Sequence, residues 1–387
     1  MKILYDSQIF DMQKTGCVSR YFVEIISRLN NFNVEYELPL AYSKNVYLQE
    51  NSLTVLNSSY LNCLYETFLP SMQFRGKRRL WELRNKFFYK DFLTNRQRDI
   101  QALKQQNFDI FHTTYYDTYF LDYIGEKPFV LTIYDMIHEK FPEMLADDIG
   151  IIKKKKLVAQ KATRIIAISE NTKQDIIDIL KIPENKIDVV YLGDSVLEGN
   201  LQYSDNQFGK YFLFTGNRHA YKNFYFMLIA LSDFLKENPD VKIVCTGSKF
   251  SDWELNLIRD LGLSSQIIHH FFADNNEMYW LYHNAIAFIF PSYYEGFGIP
   301  ILEAFSAGCP AILADASCFK EVAGDGALYF DFKNKQQLVS CCDKLLKDVS
   351  FRKEVIANGK SILKQFSWEK ASEETVKIYK SILELKS

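Results

Sequence analysis

Two carboxylates, Glu295 and Glu303, stand with seven residues between them in the run Pro291-Ser-Tyr-Tyr-Glu295-Gly-Phe-Gly-Ile-Pro300-Ile-Leu-Glu303-Ala-Phe-Ser-Ala-Gly308-Cys-Pro310. The run follows an apolar, strand-like stretch, Ala285 to Phe290. It predicts a short helix that opens at Pro300, where proline is tolerated because the first-turn N–H has no intrahelical partner. Gly308 and Pro310 end that helix. Glu295 then lies on the loop and Glu303 in the first turns. A helix N-terminus attracts anions such as phosphate. Acids bordering such a site call for another partner, and the hydroxyl groups of a sugar or ribose, which donate to carboxylates, are the natural one.

Cations for an anion lie upstream, in Phe212-Leu-Phe-Thr-Gly216-Asn-Arg218-His-Ala-Tyr-Lys222-Asn223. Strand, glycine loop and helix in that order present backbone N–H groups to phosphate. Arg218 and Lys222 could neutralise a diphosphate there, Arg218 as a fork and Lys222 as a point charge; they could equally be two solvent-exposed loop cations. Asn223 is expected to cap the following helix. His112 and Asp135 end two successive strands, and ligands of open α/β sheets bind beyond such ends. Both are therefore placed to face a cleft, although a histidine at a strand end also serves as a satisfied structural group. Gly16, between the first strand and a helix, permits close approach of backbone to a ligand or forms a plain tight turn.

These residues need a scaffold of strands and helices. Short apolar strands alternate with helical stretches, at Lys2–Tyr5, Asp109–His112, Phe129–Ile133, Arg164–Ala167 and Asp188–Tyr191, then at Tyr211–Thr215, Lys242–Cys245, Gln266–His270, Ala287–Phe290 and Ala311–Leu313. Continuous apolar strands between helices indicate parallel sheets covered on both faces. Two series in 387 residues indicate two doubly wound α/β domains. The first spans 1–195 and the second 210–366. A polar, turn-rich linker at 196–209 joins them, and an amphipathic helix at 367–387 carries Trp368, Val376, Ile378, Tyr379 and Ile382 on its apolar side.

Net charge is −2 and the pI about 6.3, which gives no reason to expect a nucleic-acid partner. Seven cysteines without a Cys-x-x-Cys pair fit reduced thiols in a cytoplasmic protein. The N-terminus reaches Asp6 too early for a signal peptide, and no apolar run approaches the roughly 18 residues of a membrane span. Basic stretches at Arg75–Arg98 and Lys153–Lys156 are either solvated helix faces or attractors of anionic lipid or of a pyrophosphate-bearing acceptor. There is no Walker-type loop, no Gly-x-Gly-x-x-Gly after the first strand, no Asp-x-Asp and no zinc spacing.

Taken together, these stretches resemble the retaining glycosyltransferase family 4, of two-domain GT-B fold. The Glu295–Glu303 motif is the specific part. Gly216-Asn-Arg218 with Lys222-Asn223, Ile168 to Lys173, Val190 to Gly193 and Phe366-Ser-Trp368-Glu support it. The resemblance implies that Glu295 contacts donor-sugar hydroxyls and Glu303 the ribose. It implies that Arg218 and Lys222 hold the diphosphate, and that backbone at Phe297, Gly298 and Ile299 approaches sugar and phosphates. It further implies a C-terminal helix that crosses back to the N-terminal domain. The chain departs from the family at Gly16-Cys17 in place of Gly-Gly, at Thr114 in place of a sugar-contacting histidine, and at Tyr134-Asp135 in place of His-Asp.

The implied activity is retaining transfer of a sugar from a nucleotide diphosphate sugar to a saccharide or lipid-linked saccharide, in surface polysaccharide or lipopolysaccharide assembly. No metal or cofactor is required, and the enzyme would be cytoplasmic with peripheral contact at the inner face of the cell membrane. A non-catalytic two-domain sugar or nucleotide binder and a GT-B nucleotide-sugar epimerase are the competing readings.

Overall fold

The computed structural model describes residues 1–53, 68–88, 93–144, 149–193, 207–271 and 274–384. Most of the expected linker, 194–206, and the last three residues lie outside them.

The chain builds two parallel six-stranded sheets. The first contains β1 (Lys2–Tyr5), β2 (Glu35–Glu37), β3 (Ile110–Thr113), β4 (Phe129–Ile133), β5 (Arg164–Ala167) and β6 (Ile187–Val189), in the order β2-β1-β3-β4-β5-β6. The second contains β7 (Lys210–Phe214), β8 (Val241–Cys245), β9 (Ile267–His269), β10 (Phe288–Phe290), β11 (Ala311–Ala314) and β12 (Ala327–Phe330), in the order β12-β11-β10-β7-β8-β9. The central strands are solid apolar runs because helices cover both faces: Phe129–Ile133 and Ala311–Ala314 are buried at every position. This is the GT-B arrangement of two α/β domains facing a cleft.

Each sheet has one point where strand order reverses, and clefts open there. In the first sheet it lies between β1 and β3, so the loops after Tyr5 and Thr113 flank it. In the second it lies between β7 and β10, so the loops after Phe214 and Phe290 flank it. Those two loops carry Gly216 to Lys222 and Pro291 to Gly298.

The C-terminal helix Trp368–Glu384 returns to the first domain and packs on the helix Cys17–Arg28. Its Tyr379 hydroxyl is 2.8 Å from the Tyr5 hydroxyl and 2.6 Å from Nδ1 of His112. The first domain thus closes its core with residues from the far end of the chain.

Candidate active site

At the switch point of the second sheet, the helix Ile299–Ser306 starts from Gly298, whose φ of 91° is a left-handed conformation that suits glycine. Pro300 occupies its first turn, and Gly308 follows its end. Glu295 is positioned by backbone: Ser317 Oγ donates to its carbonyl at 2.6 Å and accepts from its N–H at 3.2 Å. Lys222, from the loop after β7, brings Nζ to 2.5 Å from Glu295 Oε1. Both side chains are mostly enclosed, at 15% and 16% exposure, and the ammonium lies 4.9 Å from the Phe290 ring. The structure therefore joins one expected cation with one expected acid.

Glu303 points into the same space. Its carboxylate accepts from Tyr282 at 3.1 Å. Burial pushes its pKa above the ordinary carboxylate value, against the opposing pull of Arg20 and the Tyr282 hydrogen bond. Arg20 and Cys17 lie on one face of the helix Cys17–Arg28, three residues apart. Both look across the cleft: the Cys17 thiol is raised by its enclosure and by Glu303 and Glu295, with Lys222 and Arg20 acting the other way. Composition and spacing did not single out Arg20 or Tyr282; helical periodicity beside Gly16 was the available signal for Arg20.

Gly16 is the N-cap of that helix, in extended conformation. The carboxamide of Gln13 accepts from Ser19 N at 3.0 Å and supplies the cap that glycine lacks. A side chain at Gly16 would meet Gln13 at 2.4 Å. In this structure the glycine makes room for Gln13.

Three expectations are corrected. Arg218 does not join Lys222. Its guanidinium is 3% exposed, pairs with Glu254 Oε1 at 2.5 Å, and donates to the carbonyls of Ser248 at 2.6 Å and Lys249 at 2.9 Å. Burial alone would raise Glu254, but Arg218 and the hydrogen bonds from Ser251 hold its carboxyl below the usual range. His112 does not face the cleft. It is fully buried, with Nδ1 on Tyr379 and Nε2 2.9 Å from Thr132 Oγ1, and burial lowers its pKa to about 3. Thr114 is equally buried and donates to Asp6 at 2.6 Å. Asn223 occupies the position before the helix Phe224–Glu237, but with φ of 57° its side chain makes no cap, and its amide nitrogen is buried without a partner.

Asp135 does reach the cleft edge, with its side chain 35% exposed. It is held from behind by Lys155, the buried member of the Lys153–Lys156 run. Lys155 Nζ donates to the Asp135 carbonyl at 3.0 Å and to Glu139 at 2.9 Å. That lysine is therefore no part of a solvated face. Tyr221, with its pKa raised by burial and by Glu295 and Asp135, lies between the two domains' acids.

The loop carrying Glu295 is also bound by the first domain. Gly296 leaves no room for a side chain, since a Cβ there would lie 1.7 Å from the Tyr134 carbonyl. The Gly296 carbonyl accepts from Ser169 at 2.7 Å, and Tyr294 donates to Asp175 at 2.7 Å. Phe297 is buried against Tyr191 and Phe366, so only its backbone is left for a ligand. Ile299 is likewise buried.

A family model described as glycosyl transferases group 1 matches residues 202–362, and one described as glycosyltransferase family 4 matches residues 66–193. The chain is 26% identical to the O-antigen chain mannosyltransferase B of Escherichia coli, covering 98% of this chain and 100% of that one. It is 25% identical to an uncharacterised glycosyltransferase of Methanocaldococcus jannaschii, over 75% and 79% of the two chains. Anabaena HepE, crystallised with UDP and glucose, superposes with a TM-score of 0.69 at 16% identity over 98% and 99% of the chains. With family models matched on both domains and a GT-B neighbour spanning nearly the whole chain, this protein belongs to the glycosyltransferases of GT-B fold.

Proposed function

We propose that the enzyme is a retaining hexosyltransferase of family 4 type, moving a sugar from a nucleotide diphosphate sugar to a saccharide of a surface polysaccharide or lipopolysaccharide. The observation that carries this reading is the Lys222–Glu295 pair at the switch point of the second sheet, beside the N-terminus of the helix Ile299–Ser306. Support for the substrate class comes from the O-antigen mannosyltransferase that the chain resembles end to end, and a mannosyl donor is the first to test.

Charge decides the roles. Breaking the bond from the sugar C1 to the phosphate oxygen leaves its electron pair, and negative charge, on the diphosphate. Lys222 and the N–H groups at the helix start stabilise that charge in a partly dehydrated site, a preorganised effect that is often the largest in catalysis. Arg218, committed to Glu254, is not used. Glu295 and Glu303 accept from sugar and ribose hydroxyls. The acceptor oxygen attacks C1 on the face the phosphate leaves, and its proton passes to the departing phosphate oxygen. Retention follows without a protein nucleophile. Asp135 and Tyr221 border the acceptor side, and enclosure between the domains keeps water from C1.

The test is release of nucleoside diphosphate from a panel of nucleotide sugars with a saccharide acceptor, with the product anomer read by NMR. Lys222→Met should lower kcat by roughly 100-fold or more at a temperature where the variant is folded, since the Glu295 carboxylate left without its partner, at 16% exposure, also costs some stability. Near-native turnover in that variant, or an inverted product, refutes the reading.

A further inference from the structure

Lys222 faces a ligand that carries negative charge on both of its phosphates, and this lysine is already paired with Glu295. Arg218 is committed to Glu254. The start of the helix Ile299–Ser306 adds only a partial charge. An anion in a partly dehydrated pocket needs compensating charge, so the donor site drawn from the second domain alone is short of cations.

Arg20 stands where that charge is missing. It lies one turn into the helix Cys17–Arg28, on the face of Cys17. The start of this helix packs toward the loop that carries Glu295: the Tyr21 ring is 5.7 Å from the Tyr134 ring, and the Tyr134 carbonyl closes on Gly296. Arg20 acts electrostatically on Glu303 and, together with Lys222, on the Cys17 thiol. The two cations therefore reach the same space from different domains.

The fold itself gives Arg20 little to do. Its side chain is 19% exposed, and its Nε is buried without a hydrogen bond. Glu24 Oε1 lies 3.5 Å from that nitrogen, but Glu24 is already taken by Arg28, whose Nη1 is 2.6 Å from Oε2 and 2.8 Å from the Glu24 carbonyl. An arginine four residues before a glutamate is also the weaker order of such a pair on a helix. The Tyr47 ring holds the guanidinium from one side, 5.7 Å away. A guanidinium enclosed with a donor unspent costs free energy, and its fixed fork is preorganised for an anion that takes two of its N–H groups.

We infer that Arg20 is a donor-binding residue contributed by the first domain, its guanidinium gripping the diphosphate of the nucleotide sugar across from Lys222. The inference rests on the proposed function and adds a direct contact between the donor's charged group and the first domain.

Calorimetric titration of UDP, GDP, ADP and dTDP into the full chain tests it. For the diphosphate that the native protein binds, Arg20→Met should weaken affinity roughly 30-fold through loss of charge-assisted hydrogen bonds. Arg20→Lys should recover part of that loss, since it restores the charge without the fork. Melting temperatures without ligand should stay near native in both variants, because Glu24 keeps Arg28. An arginine that worked through Glu303 would lose its effect once Glu303 is neutral, whereas in a Glu303→Gln background Arg20→Met should still cost roughly 30-fold. Near-native affinity in Arg20→Met, or a loss that vanishes in that background, overturns the inference. If Lys222→Met weakens binding of the same nucleotide and Arg20→Met does not, the inference fails and the proposed function stands. If none of the four binds the native protein, or neither substitution matters, both fail.

Discussion

Arg218 is the residue on which a charge-based reading and the structure disagree, and substitution separates them. Its guanidinium is enclosed by Glu254, by the carbonyls of Ser248 and Lys249, and by the Phe250 ring at 4.7 Å. Arg218→Met would fill much of the volume but strand a carboxylate that is only 10% exposed. Breaking one side of a buried ion pair costs about 3–5 kcal/mol. Glu254 keeps its second oxygen on Ser251, at 2.7 Å from the backbone N–H and 2.9 Å from the hydroxyl, which reduces the expected cost to about 2–4 kcal/mol. For a domain of this size that is a fall in melting temperature of roughly 4–16 °C. Scanning calorimetry measures it. Adding Glu254→Met should restore part of the loss, because the unpaired charge goes with it, although the helix Asp252–Asp260 then loses its capping box. Titration of nucleoside diphosphate into Arg218→Met should show nearly native affinity at a temperature where the variant is folded. An unchanged melting temperature with affinity down more than about 30-fold (about 2 kcal/mol) would refute the argument, and would mean that Arg218 leaves Glu254 to bind phosphate.

Two further outcomes follow from the same kind of contact. His112 has a folded pKa of about 3 against an ordinary 6.5, so between those values the unfolded chain binds more protons than the folded one; stability should decline as pH falls from about 6.5 toward 3, and His112→Gln should flatten that decline in acid-denaturation curves. Gly296→Ala should push the Glu295 loop off the Tyr134 carbonyl and reduce turnover at least about 100-fold, as a misplacement of 1 Å does, without lowering the melting temperature of the second domain; native turnover would show that this approach is not needed.

The sheets were readable in the sequence because parallel, doubly covered strands are written as unbroken apolar runs. Two strands are absent from the ten runs named above, both at sheet edges: Glu35–Glu37 has three residues and an exposed glutamate at its start, and Ala327–Phe330 is only partly buried at three of its four positions. At the site, Glu295, Glu303 and Lys222 could be placed near one another because a glycine loop and a helix start fix their surroundings within a few residues. Arg218 and His112 were misplaced because their partners are distant. Glu254 lies 36 residues on and Tyr379 lies 267 residues on, and neither separation has a local signature. Lys155 was concealed differently: four consecutive lysines look uniformly solvated, yet on a helix one of the four must face inward, and only packing shows which.

The distribution of contacts around Glu295 has a consequence for how the site works. The loop that carries it belongs to the second domain, yet several of its hydrogen bonds run to the first. Ser169 and Thr172 reach the Gly296 carbonyl at 2.7 and 3.3 Å, Tyr294 donates to Asp175 at 2.7 Å, and Met136 N donates to Tyr294 at 3.2 Å. Beside it, Glu321 accepts from the N–H groups of Glu170 at 2.5 Å and Asn171 at 3.1 Å, at the start of the helix Glu170–Asp175. Each such bond contributes about 1 kcal/mol net, so the seam holds the domains together by a few kcal/mol, comparable to what a bound ligand supplies. Domain separation therefore strips the Tyr294–Gly296 part of the loop of these contacts, while Ser317 and Lys222 of the second domain still hold Glu295. Under the proposed function, the loop that would read the sugar hydroxyls is braced from both sides only when the domains are closed, which would tie donor recognition to the exclusion of water.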